Sequence, residues 1–244
     1  MLEVGTNKAK QKRRLAAHKV GRLGEIIAVF VAGILTLLCG TAMFGNGTLS
    51  AIGSIWAANL AMLTVVQIGL WLRGQSWSHF GLHTRTTEFR SPLKTVLQSL
   101  VAFAGATLAF MAGAIVMALL TGIPERADTS QYAYLQGNLP LTLLALGSVL
   151  VVSAFAEEAI YRGFLITRLR ETMPSRKSGS ILAVVASSLI FGLIHSDWGL
   201  AGMVQTSCMG GALGGVYLST NRNLWVVFLA HAYMDTLLVL QMYF

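Results

Sequence analysis

The chain has 244 residues, 55% of them hydrophobic and only 11% charged, with a net charge of +8 and a mean hydropathy of +0.65. A soluble domain carries about 25% charged residues, so a soluble globular fold is excluded and a polytopic membrane protein is indicated. The positive excess does not mark a nucleic-acid binder. Seven of the eighteen Lys and Arg fall between Lys8 and Arg22, where they read as a cytoplasmic anchor (residues 1–24) that sets topology and touches anionic membrane lipid.

A membrane-crossing helix needs about 20 mostly apolar residues. Seven candidates follow in order, at about 25–45, 51–72, 95–121, 140–170, 179–196, 199–219 and 224–244. The predicted fold class is therefore all-α, a transmembrane bundle of about seven spans, with N-terminal helices in 25–130 and a C-terminal core in 131–244. The first run is preceded by a long basic arm and followed by further spans, so it reads as a retained helix rather than a cleaved signal. Turn signals separate the runs: Gly45-Asn46-Gly47, Pro92 before the third, Thr121-Gly122-Ile123-Pro124 after it, and Pro174 and Gly179 before the fifth. Cys39 and Cys208 lie in apolar runs and read as small core residues, not a disulfide or metal pair.

Basic residues crowd alternate joints. All but Arg126 of the eighteen sit in the arm, in 73–94, around the end of the fourth run and its loop, or at 220–223. Positive-inside bias puts the N terminus in the cytoplasm and, with an odd number of spans, the C terminus outside. His79 and His83 are four apart, a spacing that serves metal chelation on a helix, but Gly81 between them favours ordinary surface histidines. The external loop 122–140 carries Glu125, Asp128, Gln131, Tyr132 and Tyr134. Gly210-Gly211-Ala212-Leu213-Gly214-Gly215 overlays two small-x-x-x-small patterns, which predict close helix packing within the fold, with a dimer face as the lesser alternative.

The fourth run contains Ala156-Glu157-Glu158-Ala159-Ile160-Tyr161-Arg162. Each ionisable group at membrane depth costs roughly 2.5–3.5 kcal/mol on insertion scales, so such groups find partners and mark function. Glu158 and Arg162, four apart, share a face and form an internal ion pair. Glu157 points about 100° away and is free to protonate or to activate a water. Two histidines also lie in apolar runs: His195, ending Phe191-Gly192-Leu193-Ile194-His195, and His231, four residues before Asp235. Polar groups on three helices are expected to converge rather than each face lipid. Straight, upright helices would not bring them together. Glu157 lies ~22 Å from the cytoplasmic end of its helix and His231 only ~10 Å into the last one. Tilt, a half-buried start to the seventh helix or a short fifth helix is required.

Glu-Glu-x-x-x-Arg at 157–162, Phe-x-x-x-His at 191–195 and His-x-x-x-Asp at 231–235, with Tyr161-Arg162-Gly163-Phe164-Leu165 extending the first, resemble the three ordered motifs of the CPBP family. That family comprises type II CAAX prenyl proteases and Abi-type proteins of bacteriocin processing and immunity. The resemblance covers about residues 140–240 and implies an intramembrane endopeptidase of a bacterial plasma membrane, acting on a peptide or lipidated-protein substrate. It implies that Glu157 and His195 activate the hydrolytic water and that His231 and Asp235 bind the developing oxyanion, with Glu158 and Arg162 in support. The last motif position is often Asn in prenyl-protease members. Asp235, if ionised, donates nothing to an oxyanion, so it is protonated, orients His231 or helps hold a metal.

Two chemistries fit these residues. Glu157, His195 and His231 could hold zinc with a position left for water, or Glu157 could work as base without metal. The usual His-Glu-x-x-His signature is absent. Two other functions compete with proteolysis. One is a non-catalytic membrane scaffold or immunity protein of the same family. The other is a proton-coupled transporter, disfavoured because such proteins show internal repeats and the polar groups here lack counterparts in the first 130 residues.

Overall fold

A computed structural model of the chain describes residues 19–45, 47–83, 92–122 and 130–244. The arm's basic residues up to Arg14, Asn46, Arg85 and Arg90, and the loop residues Glu125, Arg126 and Asp128 lie outside them. The described chain is all-α, as its composition demands. All seven apolar runs are helices: α1 (Lys19–Phe44), α2 (Thr48–Arg73), α3 (Pro92–Thr121), α4 (Leu139–Thr172), α5 (Arg176–Leu193), α6 (Gly199–Ser219) and α7 (Leu224–Tyr243). Short 3₁₀ turns stand at Trp77–Phe80, Ser130–Leu135 and Ser196–Trp198.

The count of spans is lower than expected. Among the described residues, five helices are long and apolar enough to cross a membrane (within α1, α2, α3, α4 and α7), or six if the bent pair α5–α6 counts as one span. The reason lies in composition. α5 opens on Arg176-Lys177-Ser178 and has only 18 residues, and α6 is diluted by glycines with Gln205, Thr206 and Ser207.

α5 and α6 form an antiparallel hairpin. Gly214 abuts Val184, Gly210 abuts Ser188, and Gly192 abuts Met203 and Ser207, so the partners close toward the turn at 194–199. A Cβ on Gly192 would clash with the Met203 carbonyl oxygen, so only glycine lets the two backbones approach this closely. Gly210 and Gly214 face the fold, whereas Gly215 faces open space. The small-residue stripe thus packs inside the protein.

Hydrogen bonds across loops fix which helix ends lie together. Arg22 near the start of α1 pairs with Glu171 at the end of α4 at 3.0 Å. Arg222 after α6 reaches the carbonyl of His79 after α2 at 3.2 Å. Asn223 before α7 approaches Thr95 at the start of α3 at 3.5 Å. This end carries most of the basic residues and faces the cytoplasm by the positive-inside rule. At the opposite end, Gly137 N–H donates to the carbonyl of Tyr243. The α5–α6 hairpin leaves by the end at which it entered.

α4 is the axis of the bundle. Every residue from Glu158 to Arg168 is buried, as for a helix surrounded on all sides. It packs on α2, α5 and α7, while α3 covers α6 and α7 and α1 lies along α2. The apolar side chains exposed on α1, α3 and α5 are those of a lipid-facing surface, Cys39 among them; it is exposed and not in the core. A regular α-helix was expected here, but Val149–Ile166 winds as a π-helix between two α-helical ends. Bonds from i to i+5 give more residues per turn, so neighbouring side chains diverge by less than the α-helical 100°. Such windings concentrate at functional sites.

Candidate functional site

The site begins with the paired charges on α4. Arg162 Nη1 donates to Glu158 Oε1 at 2.8 Å, the i,i+4 pair expected from the sequence. Both residues are at most 1% exposed. The same Oε1 also accepts from His231 Nδ1 of α7 at 2.9 Å. A carboxylate only accepts, so the proton of this bond sits on Nδ1. That leaves His231 Nε2 directed toward Asp235 one turn on, 3.6 Å from Oδ1, an ion-pair separation longer than a hydrogen bond. Glu158 is therefore a bridge between two helices and not the private partner of Arg162.

Glu157 is left over. It lies in the electrostatic field of His231, Asp235, Arg162 and Glu158, yet its Oε2 is buried and has no hydrogen-bond partner. Glu158 Oε2, Arg162 Nη2 and Asp235 Oδ2 share that condition. Buried polar atoms are nearly always satisfied, by protein or by water. Four unsatisfied ones within one interacting group of side chains leave donor and acceptor sites that a water or a substrate amide would satisfy.

Phe191 organises the other side. The Arg162 guanidinium stacks 4.3 Å from its ring centroid. Tyr161, His195 and His231 lie at centroid distances of 5.2, 4.8 and 6.1 Å. His195 sits at the hairpin turn, half-buried, with Nδ1 donating to the Phe191 carbonyl at 2.8 Å and its ring against Trp198 at 5.2 Å. Its Nε2 is thereby left with a lone pair. No hydrogen bond joins His195 to Glu157 among the described residues; His195 feels His231, Arg162 and Asp235 through their charges. Ser187 Oγ of α5 donates to the Tyr161 carbonyl at 2.9 Å, binding the hairpin to α4 at this level.

The six residues singled out from sequence are thus brought together on α4, the α5–α6 turn and α7. The difficulty of depth is removed by a buried start to α7: Leu224 is 1% exposed and packs beside Gly163 of α4, so His231, two turns on, meets Glu158. As a zinc site the set does not fit. Among the described residues no three His, Cys, Asp or Glu are disposed around a common metal position. His231 Nδ1 is engaged by Glu158 and His195 Nδ1 by the Phe191 carbonyl. His79 and His83 form no metal pair either: His79 Nε2 is bound to Glu171 Oε1 at 2.6 Å.

Two features escaped the sequence. One is the Glu158–His231 bond, between residues 73 apart in the chain. The other is a second buried ionic group at the basic end. Arg168, counted from sequence among the loop charges, is 0% exposed. It binds Glu25 Oε1 at 3.1 Å, Glu171 Oε2 at 3.1 Å and Gln75 Oε1 at 2.9 Å, and stacks on Phe80 at 4.8 Å. Arg73 closes the group on Glu25 at 2.7 Å. The i,i+3 spacing of Arg168 and Glu171 was a signal for half of it.

Residues 139–237, which contain all of these site residues, match the family model described as type II CAAX prenyl endopeptidase Rce1-like. Over this segment, less than half of its length, the chain is similar to that family. Residues 1–138 lie outside the match. Neither the curated proteins nor the solved structures contain a match to the chain.

Proposed function

We propose that the protein is an intramembrane endopeptidase that hydrolyses a peptide bond in a membrane-associated protein or peptide, of which a prenylated CAAX-type segment is the leading candidate. Glu157 is the base. The observation that carries this is the division of labour between adjacent glutamates: Glu158 is bound by Arg162 and His231, whereas Glu157, partly buried beside them, has a buried oxygen that nothing satisfies.

In this mechanism Glu157 takes a proton from a water lying between it and His195 Nε2, and the resulting hydroxide attacks the substrate carbonyl carbon. Negative charge moves to the carbonyl oxygen. Arg162 Nη2, which has no hydrogen-bond partner, receives it together with His231 in its doubly protonated form, whose Nδ1–H is held by Glu158 and whose Nε2–H is then free to donate. Glu157 then passes its proton to the leaving nitrogen as the C–N bond breaks. Asp235, a carboxylate 3.6 Å from His231 Nε2, supports the charge on the imidazole instead of contacting the oxyanion.

Replacing a general base by its amide removes about 10²- to 10⁴-fold of rate. Glu157→Gln is expected to lose cleavage to that extent while accumulating as folded protein. A variant that kept its rate would leave the site without its base and favour a scaffold function for the family fold.

A further inference from the structure

The basic end of the bundle holds a cleft of about 450 Å³, lined by His79, Thr167, Arg170, Glu171 and Arg222 and remote from the Glu157 site along α4. Its lining comes from three segments: the 3₁₀ turn at 77–80, the last turns of α4, and the 220–223 turn between α6 and α7.

The charge of the cleft is one-sided. Its single carboxylate, Glu171, is already held by three partners: the His79 ring at 2.6 Å and the guanidinium groups of Arg22 at 3.0 Å and Arg168 at 3.1 Å. Glu171 therefore offsets little of the charge on Arg222. The guanidinium of Arg222 spends one of its five donors on a neutral acceptor, the His79 carbonyl at 3.2 Å. Arg170, on the α4 side, donates from Nε to Ser180 Oγ at 2.9 Å.

Arg222 is also placed with some strain. It has φ +59, a left-handed conformation uncommon for a residue with a side chain. The turn is locked in it from several sides. Arg222 N–H donates to the Tyr217 carbonyl at 2.7 Å, Tyr217 Oη to the Phe80 carbonyl at 2.9 Å, and Leu224 N–H to the Gly81 carbonyl at 3.1 Å. Gly81 lacks the Cβ that would strike the Arg222 carbonyl. Strain held by surrounding structure is characteristic of ligand clamps.

We infer that this cleft binds the phosphate of an anionic phospholipid headgroup. Guanidinium groups match phosphate oxygens in geometry and charge, and basic pockets between transmembrane helices on the cytoplasmic side suit such headgroups. The cleft lies where the spans end, at headgroup level. A zwitterionic lipid gains less, because Glu171 is saturated and offers nothing to a choline ammonium. This site is separate from the N-terminal arm and independent of the proteolytic reading.

The test uses the purified full chain in neutral detergent, titrated with dioctanoyl phosphatidylglycerol, dioctanoyl phosphatidylcholine and inorganic phosphate, with binding read by microscale thermophoresis. The wild type should saturate with phosphatidylglycerol and bind phosphatidylcholine at least several-fold more weakly. Arg222→Gln should weaken phosphatidylglycerol roughly fivefold, the share of one basic residue at a charged membrane surface, with an unchanged unfolding temperature. The basic arm is the same in both proteins and cancels. Arg170→Gln serves on the other wall should Arg222→Gln fail to fold. Equal affinity for the two lipids by the wild type, or undiminished affinity in the folded variant, would overturn the assignment. Inorganic phosphate binding as tightly as the lipid would overturn the lipid as source.

Discussion

His231 is held at Nδ1 by a carboxylate that is itself held by a guanidinium, and all three side chains in this chain of contacts are buried. Removing one partner of a buried pair leaves an uncompensated charge and costs about 3–5 kcal/mol. Arg162→Met should therefore lower stability by about that amount, read as a fall in unfolding midpoint in detergent. Glu158→Gln should act in the same direction, freeing both Arg162 and His231. Glu157→Gln should not, because the carboxylate it replaces is buried without a full set of partners; its unfolding midpoint should stay or rise. A loss of stability in Glu157→Gln equal to that in Arg162→Met would place Glu157 in the structural pair. The i,i+4 spacing made the Glu158–Arg162 pair legible in the sequence. Their bond to His231 was not legible, because no local periodicity reports a contact between residues 73 apart. Arg168 was misread for the same reason: its carboxylate partner Glu25 lies 143 residues away, so its charge looked solvated.

Two elements convert these side chains into a site. The π-helical turns of α4 set the directions of Glu157 and Glu158, and the α5–α6 hairpin brings His195 to the height of α7. The hairpin depends on close backbone approach along its glycine face. Gly214→Leu should destabilise it strongly, since even a Cβ there would lie 3.0 Å from Val184 Cγ1. Gly215→Leu, one residue on and facing open space, should be tolerated. Comparing the unfolding temperatures of the two tests the register; equal losses would contradict it. Gly81 combines φ +86 with a neighbouring carbonyl where a Cβ would go, so Gly81→Ala should destabilise more than an ordinary glycine substitution, whose usual scale is about 1 kcal/mol. The apolar runs were legible as helices because length and hydropathy suffice. The hairpin was not: a run of apolar residues looks the same whether it crosses upright or turns back.

At the scale of the whole molecule, the charge asymmetry and the pairing of helix ends agree. Helix starts and ends linked through Arg22–Glu171, Arg222–His79 and Asn223–Thr95 gather at the basic end, and α7 finishes at the other. Reporter tags at the two termini should lie on opposite sides of the membrane, with the N-terminal tag cytoplasmic; same-side tags would contradict this topology. The N-terminal helices were legible only as spans. Their part in the site is indirect: α1 supplies Glu25 to the Arg168 group, and α3 supports α7 through Ser99 and Tyr233 at 3.2 Å. The most direct measurement is cleavage of a panel of prenylated and unprenylated peptides by wild-type protein and Glu157→Gln, each reconstituted in vesicles and each checked for folding. The wild type should cleave at least one member, and the folded variant should be slower by about 100-fold or more. Undiminished cleavage by Glu157→Gln would contradict the assignment of Glu157 as the base.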